Sequence, residues 1–167
     1  METYKASLDT TAKVITGFVF LLVPFGVLMG FIKSNWYLSL TVGLILACIL
    51  FFAYIFSIQS YQITEDTLII KRRLSGLNKE IRLSEIESVK LLSKEDLKGT
   101  IRTLGDAGFF GYYGYFFNRK MGSFRMYVTN RKNLLLLVVG KSKTEIVISP
   151  DDATMLDVLQ KHIKTTG

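Results

Sequence analysis

Two uncharged apolar runs in the first third of the chain decide where everything else can go. Val14 to Ile32 (VITGFVFLLVPFGVLMGFI) holds 19 residues, and Trp36 to Ile58 (WYLSLTVGLILACILFFAYIFSI) holds 23. As helices they would span roughly 28 and 34 Å at about 1.5 Å per residue. That matches a bilayer hydrocarbon core of about 30 Å. Neither run has a polar face for water, as a surface helix of a soluble protein would. Only Lys33, Ser34 and Asn35 separate them, so a tight antiparallel transmembrane hairpin is expected. The chain reads as a membrane protein.

Charge divides the chain in the same place. Of 21 Lys and Arg, 18 lie beyond residue 58, as do 12 of the 14 Asp and Glu, an excess of six positive charges. The expected organisation is an anchor unit over 1–58, with spans 14–32 and 36–58, and a soluble unit over 59–167. The second unit is long enough to bury a core of its own. Its positive balance points to anionic headgroups; the sequence carries no nucleic-acid recognition signature, so nucleic acid is not an expected partner. Residues 1–13 are short and polar. The first run is too long for a signal peptide, lacks a small-x-small cleavage site and is followed at once by a second span, so it reads as a retained anchor.

Lys5 and Lys13 precede the first span, Lys71, Arg72 and Arg73 follow the second, and Lys33 alone marks the turn. The positive-inside tendency places both termini in the cytoplasm, at the inner membrane of the cell. The one cysteine, Cys48, lies mid-span and excludes an intramolecular disulfide. Neither span holds an Asp, Glu, Lys, Arg or His, which argues against an ion or proton pathway. Small residues recur at four-residue spacing, Gly26 and Gly30 in the first span and Gly43 and Ala47 in the second. Such positions let helix backbones approach closely. Packing within the hairpin is the expected use; dimerisation between chains through Gly26 and Gly30 is the alternative. Pro24 is a potential kink.

Beyond Ile58 the pattern changes to short β-type runs. Strands are expected around Tyr61 and Ile63, over 67–74, 79–83, 86–92, 124–129, 134–139 and 144–149. A closing helix is expected with Ser149 as N-cap, Pro150 in the first position and Asp151 and Asp152 at the positive end of its dipole. Met155, Leu156, Leu159 and Ile163 then share one face. Seven strands followed by one amphipathic helix is the order of a pleckstrin-homology (PH)-like barrel or sandwich. The stretches YQITEDTLIIKR (61–72), IRLSEIESV (81–89), GYYGYFFNRKMGSFRMYVTNRKN (111–133) and IVISPDD (146–152) resemble bacterial PH domain proteins in which a membrane hairpin precedes such a domain. The resemblance covers residues 59–164 and implies an α+β membrane protein. Eukaryotic relatives often hold phosphoinositides in a basic loop between the first two strands. Here that turn is Glu65 and Asp66, short and acidic, so the site is not carried over.

One stretch stands apart. Ser93 to Gly122 is expected to be a 30-residue insertion between the fourth and fifth strands, a length that is usually functional. Within it, glycines at 105, 108, 111 and 114 alternate with Phe109, Phe110, Tyr112, Tyr113, Tyr115, Phe116 and Phe117, and the cations Arg119, Lys120 and Arg125 follow. The glycine period is too short and too poor in proline for a collagen-type helix. The loop packs on the barrel or the hairpin, or dips into the bilayer interface, where tyrosine sits at headgroup depth and cations meet phosphates, or offers the same surface to a partner or ligand.

Chemistry-bearing constellations are missing. One Cys and one His (His162) make neither a zinc set nor a Cys–His pair. Gly140-Lys141-Ser142 imitates the end of a phosphate loop, but Leu135 replaces the required earlier glycine. No catalytic residue, metal or cofactor is expected. The expected function is a non-enzymatic lipid-surface or protein interaction and scaffold module. The alternative is an accessory or regulatory subunit of a membrane enzyme or transporter, docking through the hairpin as a hetero- or homo-oligomer.

Overall fold

The computed structural model describes residues 1–32, 36–107, 110–140 and 143–166. In chain order the elements are β1 (Glu2–Lys5), α1 (Thr10–Ile32), α2 (Trp36–Phe56), β2 (Ile58–Ile63), β3 (Thr67–Arg72), β4 (Lys79–Arg82) and β5 (Ile86–Leu92). Then follow β6 (Ile101–Ala107), β7 (Tyr112–Asn118), β8 (Gly122–Val128), β9 (Leu134–Val139), β10 (Thr144–Ile148) and α3 (Thr154–Thr166).

Helix α1 begins four residues before the expected span because Asp9 caps it. The Asp9 carboxylate accepts from the Ala12 N–H at 2.7 Å, and the Asp9 carbonyl accepts from Lys13 N at 3.0 Å. The helix is continuous through Pro24. Helix α2 stops two residues short of the expected boundary, since Ile58 already belongs to β2. Both helices are long and apolar enough to cross a membrane, and only 11% of each span is buried within the chain. Core helices of a soluble protein would be mostly enclosed. The expected turn, Lys33 to Asn35, lies outside the described residues.

The strands form two open sheets, ordered β1-β2-β3-β4 and β5-β9-β10-β8-β7-β6. All seven expected strands are present, and three more join them. Two are β6 and β7, so the supposed insertion is an antiparallel hairpin that widens the second sheet. The third is β1, which pairs with β2 from Glu2↔Ile63 to Lys5↔Ser60. The apolar helices are therefore inserted between two neighbouring antiparallel strands, and both ends of the helical pair stand on the same side.

Between the sheets and α3 lies the main core, with Tyr61, Leu68, Ile70, Leu135, Leu137, Ile148, Met155 and Leu159 fully buried. Each such side chain contributes about 1.5–3 kcal/mol of burial. Leu156 and Ile163 of α3 pack on the same cluster, the face its spacing predicts. Strand β9 reads LLLLVV with no alternation, as a strand covered on both faces does. Its Leu134 and Leu136 point the other way, into a second cluster with Tyr112, Phe116, Phe124, Met126, Val128 and Val147.

The helix start differs from expectation. Ser149 is buried, and its hydroxyl accepts from the N–H groups of Thr129 (2.9 Å) and Asn130 (3.3 Å) rather than capping α3. Asp152 takes the capping place, accepting from Thr154 N at 2.9 Å, and that bond holds its carboxyl below the ordinary range. Asp151 turns to the amino-terminal segment instead. It accepts from Ser7 N and Oγ and from Asn130 Nδ2, while its own N–H donates to the Lys5 carbonyl.

Candidate functional site

The β6–β7 hairpin carries the aromatic cluster that stands out in the sequence, and its turn meets the base of the helices. The Phe110 N–H donates to Thr16 Oγ1 of α1 at 3.3 Å, and the Phe110 ring meets Tyr54 of α2 edge to face at 5.5 Å. Phe110 holds a φ of 53°, a left-handed backbone uncommon for a bulky residue. On β7 the next two side chains split between the faces of the sheet. Tyr113 donates to the Ala53 carbonyl of α2 at 3.1 Å. Tyr112 donates to Asp9 Oδ2, at the start of α1, at 3.4 Å. Burial pushes the Tyr112 hydroxyl up, against the lowering influence of Arg131, whose guanidinium lies 4.6 Å from its ring centre. Phe109 lies outside the described residues.

Further along β7 the strand leaves the helices. Phe116 is buried against Phe124 in the outer cluster. Tyr115 (44% exposed) and Phe117 (42% exposed) face outward, with Arg125 stacked over Tyr115 at 4.7 Å. Arg119 and Lys120 sit in the β7–β8 turn, exposed, with Lys120 paired to Asp96 at 3.7 Å. At about 3.4 Å per strand residue, Arg119 stands roughly 24 Å along the strand from Tyr112. The structure thus brings Phe110, Tyr112 and Tyr113 to the anchor and leaves Tyr115, Phe117, Arg119, Lys120 and Arg125 away from it.

Other cations meet the aromatic rings beside the helices. Arg72 lies within 5.4, 5.8 and 5.6 Å of the ring centres of Phe56, Tyr113 and Tyr127, and Arg73 lies 5.1 Å from that of Tyr54. Both stand at the carboxyl end of α2, where Arg73 N donates to Ser57 O and positive charge complements the helix dipole. Their contribution to the count of flanking charge was visible in the sequence; the aromatic enclosure of Arg72 and the stacking of Arg131 on Tyr112 carried no sequence signal.

Within the helical pair, Gly30 and Gly43 mark the close approaches. A Cβ on Gly30 would fall 1.4 Å from Ser39 Oγ, and one on Gly43 would fall 2.6 Å from Val27 Cγ2. A Cβ on Gly26 would meet nothing within 4 Å. Ala47 lines a shallow apolar cleft with Phe20, Pro24 and Phe51. Lys141 and Ser142 are outside the described residues, and the chain leaves that turn into β10 rather than into a helix. Among the described residues no group of three or more His, Cys, Asp or Glu could hold a metal ion.

Comparison with curated proteins and with solved structures finds no match to this chain. The family model described as a bacterial PH domain matches residues 59–163. That stretch runs from β2 into the last turns of α3 and takes in the β6–β7 hairpin. With well over half its length accounted for in this way, the chain belongs to the bacterial PH domain family.

Proposed function

We propose that this protein is a membrane-anchored, non-catalytic interaction module, whose PH domain is mounted on the cytoplasmic leaflet in one fixed orientation. Domains of this family suggest lipid or protein binding, and the apolar helices hint at membrane association. The observation that carries the reading is the missing linker. Only Ser57 separates α2 from β2. On the other side, residues 5–9 are stitched to the domain by Asp151 N to Lys5 O, Ser7 to Asp151 and Asp9 N to Thr129 O (3.0 Å). The β6–β7 turn adds a third attachment through Thr16, Tyr54 and Ala53. A domain held at three points presents the same surface to lipid or partner at a set height. Its aromatic turn meets α1 near the first apolar residues, the depth at which aromatic rings gain most at a bilayer interface.

The test uses the full chain in anionic vesicles, with Trp36→Phe and Phe110→Trp combined so that one indole reports on the turn. Lipids carrying a quencher near the headgroup should quench it more strongly than lipids carrying one at the bilayer centre. An indole indifferent to every quencher would remove the interfacial mounting. One observation favours the accessory-subunit reading. The open side of Gly26 leaves room for the backbone of a neighbouring helix. Stoichiometric co-purification of a membrane partner that is lost on Gly26→Leu would support it.

A further inference from the structure

The outer face of the six-stranded sheet holds a cavity that the mounting does not use. Its volume is about 480 Å³, within the size range of small-ligand sites. Tyr112, Phe116, Met126 and Leu134 make an apolar floor, and Leu97 reaches over it. The segment carrying Leu97 is a run of tight turns, with Asp96 N, Leu97 N and Lys98 N donating to the carbonyls three residues back. Asn118 pins it by donating from Nδ2 to Asp96 O (3.0 Å) and Thr100 Oγ1 (3.2 Å). Asp96 is held low by hydrogen bonds from Ser93 and tightens the same turn.

Around this floor stand Lys94, Lys98, Arg102 and Arg131, against the one acid Glu95. Among the described residues none of the four cations has a carboxylate within 4.0 Å. Four uncompensated cations over an aromatic and aliphatic floor fit a molecule with an anionic head and an apolar body. The cavity also has a direction. Tyr112, at one side of it, donates to Asp9 at the foot of α1, and two residues earlier Phe110 touches Thr16 and Tyr54. The apolar floor therefore runs out toward the anchoring helices.

We infer that this cavity is a binding site for one anionic phospholipid, its phosphate held by Lys94, Lys98 and Arg102 and its apolar part on the Tyr112–Phe116–Leu134 floor. The inference rests on the membrane setting proposed above, and deepens it from surface attraction to a discrete site. It also differs from the turn between β2 and β3, where Glu65 and Asp66 would repel a phosphate.

The full chain in a non-ionic detergent, titrated with dioleoyl phosphatidylglycerol or dioleoyl phosphatidylcholine and read by native mass spectrometry, tests it. One phosphatidylglycerol per chain should be retained, with phosphatidylcholine at least about tenfold weaker. The triple variant K94Q/K98Q/R102Q should lose on the order of 100-fold in phosphatidylglycerol affinity, at about fivefold per charge. A control with the same charge change on other exposed cations, R82Q/K90Q/K143Q, should lose far less. Leu97→Trp keeps every cation and fills the cavity, so it too should abolish retention while the melting temperature stays within a few degrees. Equal retention of both lipids, or equal losses in the two triple variants, would overturn the site in favour of general charge attraction. Displacement by millimolar inorganic phosphate would overturn the phospholipid in favour of a soluble anion. Resistance of each variant to alkaline extraction from membranes separates a failed site from a failed anchor.

Discussion

Tyr61 joins three strands through one hydroxyl. From β2 it donates to the Tyr127 carbonyl of β8 at 2.6 Å and accepts from the N–H of Ser149, just past β10, at 3.1 Å. Tyr61→Phe removes a hydrogen-bond partner from a buried carbonyl and a buried N–H, which should cost about 1–3 kcal/mol in chemical denaturation. Burial pushes the Tyr61 hydroxyl from 10.0 up to about 12. Tyr4 is also pushed to about 12, first by burial and then by the Glu2 carboxylate that accepts its hydrogen bond. Because the folded values exceed the unfolded ones, the native state keeps these protons longer. Their stabilisation is complete below pH 10 and is lost as pH rises toward 12. Alkaline unfolding should therefore fall in that window, and Tyr61→Phe should narrow its gap to the parent protein as pH climbs through it. A constant gap from neutral pH to 12 would show that the phenol proton is not linked to folding. None of this was legible in the sequence, where Tyr61 is one of eight tyrosines. Gly105 and Gly114 were visible as members of a period, but not as cross-strand partners at φ 118° and 127°. A Cβ on either would sit 2.7 Å from the other's Cα.

Strand β1 is the element with most influence for its size. Its four residues cover the free edge of β2, and the following Ser7–Asp151 contacts tie the amino terminus to the start of α3. A fragment of residues 59–167 alone would expose that edge, a template for unwanted pairing. A chain in which residues 1–9 run into Ser57 through a short Gly-Ser linker, bypassing the helices, should melt cooperatively and at a higher temperature than the fragment. Equal melting temperatures would mean that β1 adds nothing to the sheet. The sequence showed the other strands and the α3 face because their apolar residues recur at short, regular spacing. It hid β1 because ETYK has no apolar period and its partner lies two spans away. It hid β6 because a bulge between Arg102 and Leu104 sets Ile101 and Leu104, three apart, opposite Phe117 and Tyr115. It hid β7 because a strand with rings on both faces has no alternation. The aromatic residues thus stood out in the sequence, but their division between the anchor and the distal sheet needed the register.

At the scale of the whole molecule, the pairing of β1 with β2 makes topology an all-or-none property. Residues before α1 and after α2 share one sheet, so they must share one side of any membrane the helices cross. Lys5, Lys13, Lys71, Arg72 and Arg73 flank the outer ends of the helices and Lys33 alone marks the turn, so the prediction from the positive-inside tendency is a cytoplasmic sheet. In a Cys48→Ala background, Ser34→Cys should react with a membrane-impermeant thiol reagent in intact cells. Lys132→Cys, exposed on the domain, should react only after lysis. A harsher version adds cations to the turn, with Asn35→Arg and Ser34→Arg together, to weaken the charge difference. If the sheet governs insertion, an amino-terminal epitope and the thiol of the Lys132→Cys variant should respond together, both protected or both accessible in every molecule. A population with the epitope on one side and that thiol on the other would mean that β1 leaves β2 during insertion. The three-point mounting of the domain would then lose its amino-terminal attachment.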